Sequence, residues 1–326
     1  MDFYLGVDAG GTKTRAVLAD AFGRLCAVGE AGPGNWQAIG ALAAGQAISR
    51  AVEQALAATE GEVAREALRG SFFALAGVRV AEERAVMAAE VAKLRLPGAV
   101  ELGGDLAAAH AGALAGGPGV VVIAGTGSAA WGVNAAGESW QAGGWGWLVD
   151  DQGGAYWLAL RGLAAACEAE DGRGPVTQLG ARAAAYFGAS GLREVLRDLH
   201  AGRRDRAAVA GFAREVRAAA DATDVVACGL VEAAGSELLR LAEAVRARLS
   251  PADGGRPGRD FPFAVTGGLG MGAVVRERAL AAGFKPVEPW GEPVLGALLL
   301  AARAGGAELD AAARVRLLAG WKTPQA

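Results

Sequence analysis

The sequence predicts an α/β protein made of two similar halves that face a central cleft. Three observations predict it. Apolar residues flank "DAGGTKT" as strand, tight turn, strand: Phe3, Leu5 and Val7 before it, Ala16, Val17 and Leu18 after it. Strand and helix patterns then alternate through the first third of the chain. Finally, the opening pattern restarts at residues 120–140, "VVVIAGTGSAAWGVNAAGESW", after a turn-rich break, "AGGPGV", at 115–120 that reads as a hinge. Both stretches run apolar strand, Gly/Thr turn, second strand, short turn, third strand. That is a repeat at the scale of a domain.

Element by element, strands are expected at 3–8, 14–20, 24–29, 71–76 and 99–102, and helices at 37–58, 81–95 and 105–115. Residues 151–249 carry apolar side chains at helical spacing and read as mostly helical. "SPADGGRPGRD" (250–260) reads as a flexible connection. "FPFAVTGGLG" is a strand ending in glycines, followed by a helix at 271–282. "GEPVLGALLLAARAGG" is a helix with Pro293 in its first turn, where a missing N–H costs nothing.

With 326 residues, 52% of them hydrophobic, the chain is long enough for two domains with sizeable cores. A net charge of −3 gives no electrostatic case for nucleic acid or an anionic membrane. The longest apolar runs are too short to span a bilayer, and no basic segment leads into an apolar stretch at the N-terminus. A cytoplasmic protein is the default expectation. Cys26, Cys167 and Cys228 lie far apart, without a CxxC pattern, and read as free thiols. With only His110 and His200, a histidine-rich metal site is excluded.

Three glycine turns follow apolar strands. In the first, Gly10 and Gly11 leave backbone N–H groups uncovered, and Thr12 and Lys13 add a hydroxyl and an ammonium. Such a tip suits a phosphate, and it equally suits an ordinary polar hairpin. It is not a P-loop, because Thr12 interrupts Gly-Lys and a strand follows. In the second, Thr126, Gly127 and Ser128 offer another phosphate edge. In the third, Gly267 and Gly268 permit close approach of a ribose or base. Asp105 follows two glycines and opens a helical run. It reads as a helix N-cap, as a general base at a substrate hydroxyl, or as both. Trp36, Trp145, Trp147 and Trp157 are candidates for an aromatic face, and each is also an ordinary core residue.

Taken together, "GVDAGGTKT", "GPGNW", "LGGDLAAAHAGA", "VVIAGTGSAAWG", "AGGWGWLVDDQGGAYW" and "VTGGLG" resemble the N-acetylglucosamine kinase-like ATPases of the BadF/BadG/BcrA/BcrD type. These belong to the superfamily of sugar kinases, actin and heat-shock chaperones. The resemblance runs from residue 5 to about residue 300. It implies two ribonuclease-H-like (actin-like ATPase) domains, 1–116 with 292–326 and 117–291. It implies ATP and Mg2+ as cofactors, with Asp8 reaching the metal through water. Gly10, Gly11, Thr12 and Lys13 would face the phosphates, with Thr126, Gly127 and Ser128 as the second phosphate turn. Gly267 and Gly268 would border the adenosine. Asp105 would be the base. Asn35 and Asp151 would bind sugar hydroxyls, and Trp36, Gly77, Gly144, Trp145 and Gly146 would wall the pocket.

The chain departs from the family's Gly-Asp-Glu-Gly-Ser at "DDQGG", where Asp150, Gln152 and Gly154 replace glycine, glutamate and serine. The implied activity is phosphorylation of an amino sugar of the N-acetylglucosamine or glucosamine class, with an anhydro sugar also open. A BadF-type ATPase activator or a sugar-responsive sensor is the alternative. With the first expected strand at residues 3–8, a DNA-binding helix-turn-helix ahead of it is not expected. The resemblance also implies a small-molecule partner and a possible homodimer.

Overall fold

A computed structural model describes residues 1–250 and 261–322. The chain divides into two compact units, Met1–Gly117 with Pro289–Ala326, and Pro118–Glu288. The segment expected to be a flexible connection, 250–260, lies outside the described residues apart from Ser250.

In the first unit the strands are β1 (Phe3–Ala9), β2 (Thr14–Asp20) and β3 (Leu25–Ala31). Helices α1 (Trp36–Ile39) and α2 (Ala41–Ala57) and a short 3-10 turn lead to β4 (Leu68–Leu75). Then follow α3 (Ala81–Ala92), β5 (Ala99–Gly104) and α4 (Asp105–Ala113). The sheet order is β3-β2-β1-β4-β5. β1, β2 and β3 are antiparallel neighbours, and β4 and β5 run parallel to β1.

The second unit repeats this plan. It holds β6 (Gly119–Ala124), β7 (Ser128–Val133) and β8 (Ser139–Gly143). Six helices follow: α5 (Ala155–Glu170), α6 (Leu179–Phe187), α7 (Leu192–His200), α8 (Arg206–Gly211), α9 (Ala213–Asp221) and α10 (Val225–Leu249). The unit closes with β9 (Phe261–Thr266), α11 (Gly272–Ala281) and β10 (Phe284–Pro286). Its order, β10-β9-β6-β7-β8, is the first order read from the other edge, with the same parallel and antiparallel pairings. The repeat seen in the sequence is therefore a repeat of topology, on the ribonuclease-H-like plan.

Helices α12 (Pro293–Ala304) and α13 (Ala311–Lys322) return to the first unit. The α12 helix packs on the sheet face opposite α2, against Tyr4, Phe72 and Ala74. It sits backbone to backbone on β1 and β4. A Cβ on Gly6 would lie 2.3 Å from Leu298 N, and one on Gly70 would lie 2.0 Å from Ala301 O. This seat carries the start of α12, with Glu292 as its N-cap, to the end of the sheet that holds the candidate residues.

Several expectations need correction. The helix expected over 37–58 is broken at Gly40, whose φ of 83° no helix tolerates, and α1 ends there on a Gly40 N–H bond to Trp36 O. The strand expected from 71 begins at Leu68, and the helix expected to 115 ends at Ala113. The strand β10 is not expected from the sequence. Asp105 is not the N-cap of α4. Gly104 holds that position with extended backbone, and Asp105 is the first helical residue.

Candidate functional site

In the first unit, β1, β4 and β5 run parallel, so their C-terminal ends share one edge. Ligands of open α/β sheets bind at such an edge. Asp8 stands near the end of β1, Gly77 just past β4, and Asp105 just past β5. Burial, and after it the charge of Asp105, push the Asp8 carboxyl up to about 6. Glu292 adds to the rise, and Arg15 and Lys13 oppose it. Burial also raises the Asp105 carboxyl, against the backbone N–H bonds of Leu106 and of Asp105 itself.

The first glycine turn is closed by Gly10 N–H donating to Lys13 O at 3.0 Å. Gly10 O in turn accepts from Gly34 N at 2.9 Å and Asn35 N at 3.1 Å, so the "GPGN" loop hangs from the turn. Gly11 and Thr12 are exposed. Lys13 Nζ donates to Glu30 Oε2 at 3.1 Å, and Arg15 Nη1 to Glu292 Oε2 at 2.6 Å. Trp321 Nε1 donates to the other Glu292 oxygen at 3.0 Å.

Asn35 caps α1, its side chain accepting from Gln37 N at 3.1 Å. Trp36 donates its indole N–H to Gly77 O at 3.0 Å and packs on the core beside α2. Its ring is half-buried in that packing. Gly77 has φ of 86°, and a Cβ there would press on Asn35 Oδ1 and the Gln37 side chain. The fold thus brings Asn35, Trp36 and Gly77 into one cluster. That cluster is tied to the turn at 10–13.

The second unit gathers the other candidates. Gly125 N donates to Gly127 O at 3.0 Å and closes the turn between β6 and β7. The next segment, 150–156, is laced onto it. Ala155 N donates to Gly125 O and Tyr156 N to Thr126 O, both at 2.9 Å, and Ser128 Oγ donates to Gln152 O at 2.6 Å. Asp151 is buried, 6% exposed, with a φ of 59°. Its carboxylate accepts from the backbone N–H groups of Ser128 and Gly146 and from Arg206 Nη2 at 3.3 Å. Burial pushes this carboxyl up, Asp150 adds to the rise, and Arg206 opposes it most.

Gly127 and Gly154 permit this packing. A Cβ on Gly127 would lie 2.2 Å from Asp151 Oδ2, and one on Gly154 would lie 2.6 Å from Gly127 C. A serine at 154 would not fit this backbone. Gln152, by contrast, is exposed and lends only its carbonyl. In the loop before Asp151, Gly144 and Gly146 have positive φ, Trp145 N donates to Asp150 Oδ2 at 3.1 Å, and the Trp145 side chain is 78% exposed. Trp147 meets Tyr156 edge-on, and Trp157 is half-buried under Arg161. Gly267 has a φ of 108°, and a Cβ there would lie 2.3 Å from Ala124 O at the end of β6, while one on Gly268 would meet nothing within 4 Å.

A family description, BadF/BadG/BcrA/BcrD ATPase, matches residues 5–301. The chain belongs to that ATPase family. It is 24% identical over 247 residues to an N-acetylmuramic acid/N-acetylglucosamine kinase of Clostridium acetobutylicum, across 75% of this chain and 79% of that protein. It is 28% identical over 186 residues to an N-acetyl-D-glucosamine kinase of Dictyostelium discoideum, across 55% of this chain and 58% of the other. A crystal structure of a proposed N-acetylglucosamine kinase from Chromobacterium violaceum superposes with a TM-score of 0.72 at 28% identity, over 92% of this chain and 99% of that one. A Porphyromonas gingivalis structure at 16% identity and TM-score 0.67 shares the fold.

In this BadF-type ATPase, sequence reasoning missed three residues of the two clusters. Arg15 and Glu292 meet across 277 positions, and Arg206 reaches Asp151 across 55. Glu292 had a faint signal, as the residue before the first-turn Pro293. Arg206 had none.

Proposed function

We propose that this chain transfers the γ-phosphoryl group of ATP to a hydroxyl of an amino sugar of the N-acetylglucosamine or glucosamine class, with Asp105 as general base. The observation that carries the reading is the placement of Asp105 and Asp8 at one sheet edge, beside an open glycine turn. Family membership supports the ATP chemistry, and the named relatives support the sugar acceptor.

Burial makes Asp105 a stronger base than a solvated carboxylate, which suits removal of a hydroxyl proton as the oxygen attacks. Asp8 fits a place beside Mg2+. Its ionised form is disfavoured by burial and by Asp105, and a cation or its bound water relieves both penalties. Among the described residues no group of three or more His, Cys, Asp or Glu is placed to hold a metal by itself. The ion would therefore take most of its ligands from nucleotide and water. Bound Mg2+ and ATP supply the phosphoryl group and neutralise its charge. The exposed stretch at Gly11 and Thr12 and the Lys13 ammonium would meet the phosphate oxygens, with Gly10 closing the turn beneath them. Thr126, Gly127 and Ser128 would form the second phosphate turn, and Gly267 and Gly268 the adenosine border. Asn35, Gly77, Gly144, Trp145, Gly146 and Asp151 would orient the sugar.

The test is ADP release with Mg2+-ATP and a panel of N-acetylglucosamine, glucosamine, N-acetylmannosamine, glucose and anhydro-muramic sugars, beside a no-sugar control. Release that depends on one amino sugar, with a phosphosugar mass, is expected. ADP release indifferent to every sugar would overturn the kinase reading.

A further inference from the structure

We propose that Arg206 is the positioning residue of the second phosphate turn: it pins the Asp151 carboxylate against Gly127 and so holds Thr126, Gly127 and Ser128 in their working geometry. This rests on the reading of 126–128 as a nucleotide phosphate turn.

Four observations support it. The root of Arg206 is fixed. It opens α8, which Asp205 caps by accepting from Ala208 N at 2.7 Å, which buries Val209 and Ala210, and whose Ala208 carbonyl accepts from the Tyr186 hydroxyl at 3.0 Å. The guanidinium reaches both fastenings of the turn. It donates to Asp151 Oδ2 at 3.3 Å and lies over the ring of Tyr156, whose backbone N–H holds Thr126 O. Asp151 leaves no slack: its carboxylate occupies the place where a Cβ of residue 127 would be. Asp151 is also a non-glycine residue held at positive φ, a conformation that persists only where surrounding contacts over-determine it.

The charge balance points the same way. Asp150 is adjacent, so Asp151 lies in a site that repels a second negative charge, and Arg206 is the cation that offsets it. Without that cation the buried carboxylate either takes up a proton or turns toward water. Each outcome weakens its hold on Ser128 N–H. The turn itself contributes backbone amides, whose value to a phosphate depends on their being already aimed.

The experiment compares Arg206→Met, Arg206→Lys, Asp151→Asn and the double variant Arg206→Met/Asp151→Asn in the full chain. The readouts are the Kd for a fluorescent ATP analogue, amide hydrogen exchange at 125–128, 155 and 156, and separate KM values for nucleotide and sugar. Arg206→Met is expected to weaken nucleotide binding about tenfold and to speed exchange in the turn, and the sugar KM moves with it only as far as Asp151 meets the sugar. Arg206→Lys should keep most of the wild-type behaviour. The double variant should be no worse than Arg206→Met, because a neutral Asn needs no cation and still accepts from Ser128 N–H. Unchanged exchange and nucleotide affinity, or a change confined to the sugar KM, would overturn the proposal. If Arg206→Met does not fold, Arg206→Lys decides by the same readouts, a two- to threefold loosening being expected and none overturning it. A wild-type protein that phosphorylates no sugar would sink the kinase reading alone, since exchange and nucleotide binding still judge Arg206.

Discussion

The two units share one strand order, yet they fasten their first turns in opposite ways. In the first unit the turn at 10–13 is open. Gly11 and Thr12 face solvent, and charged side chains crowd the rim: Lys13 on Glu30, Arg15 on Glu292. In the second unit the turn at 125–128 is closed from behind by Asp151, Gly154 and the first turn of α5. The difference arises between the third and fourth strands. There the first unit inserts α1, α2 and a short 3-10 turn, and the second inserts α5 to α10, the source of Arg206. Topology decides where a turn stands, and the inserted elements decide how stiff it is. The open turn lies in the unit that holds Asp8 and Asp105 at one sheet edge, and the stiff one has its raised carboxylate, Asp151, tied to Ser128, Gly146 and Arg206.

The sharpest way to break this comparison is to remove one carboxylate. Asp105→Asn keeps the size and the helix start but cannot take a proton. We expect kcat for sugar phosphorylation to fall about 10³-fold, within the range of general-base effects, with nucleotide affinity nearly unchanged. Steady-state turnover and calorimetric nucleotide binding check the two halves of that statement. Full activity in the variant would remove Asp105 from the reaction.

Asp8 gives a pH-dependent signature in the same unit. Its folded pKa, about 6, is above the model-compound value of 3.8. Its contribution to stability is therefore complete below about 3.8 and is lost as pH rises through 6. At pH 7.5 the ionised carboxylate carries the whole penalty, on the order of 2–3 kcal/mol. Asp8→Asn should thus be more stable than wild type at pH 7.5, by up to that amount, and the gap should close toward pH 4. It should also lose Mg2+-dependent turnover. Urea titrations at pH 7.5, 6.0 and 5.0 measure the gap. A gap that widens as pH falls would contradict the assignment.

The contrast between the turns is tested by the same substitution in each. Gly127→Ala forces a Cβ onto Asp151, and we expect a loss of about 1–3 kcal/mol in thermal or urea unfolding. Gly11→Ala meets nothing within 4 Å and should leave stability within about 0.5 kcal/mol of wild type. Equal losses would mean that the two turns are equally constrained. A loss of stability at 11 alone would invert the comparison.

Much of this was legible in the sequence, for local reasons. The β1–β2 and β6–β7 hairpins, Asp8 at a strand end and Asp105 after two glycines are all written in contiguous residues. The duplicated strand–turn–strand pattern was enough to expect two similar α/β halves. What escaped depends on distance or on very short elements. The Gly40 break was hidden because apolar spacing continues through it from Trp36 into α2. The strand β10 has three residues, too few for a pattern. Arg206 is one of several arginines in a helical stretch, and only the folded path brings it to Asp151. Asp105 was legible as a residue and misplaced by one position, because Gly104 can adopt the extended cap conformation itself.

The smallest expected effect concerns the rim of the open turn. Lys13 and Glu30 form an ion pair at 3.1 Å, with side chains 43% and 54% exposed. An exposed pair of this kind is worth no more than about 1 kcal/mol, so Glu30→Gln should hardly change the unfolding midpoint. It should change the nucleotide more. If Lys13 serves a phosphate, it must leave Glu30 to do so, and the carboxylate also repels the incoming anion. Glu30→Gln removes both costs, while Arg15 keeps Glu292 as its closer partner. We expect the nucleotide KM to fall roughly two- to fivefold at low salt, and the difference to shrink at high salt, where screening weakens both terms. An unchanged or higher KM at low salt would mean that Lys13 stays with the rim and that the backbone of the open turn meets the phosphates unaided.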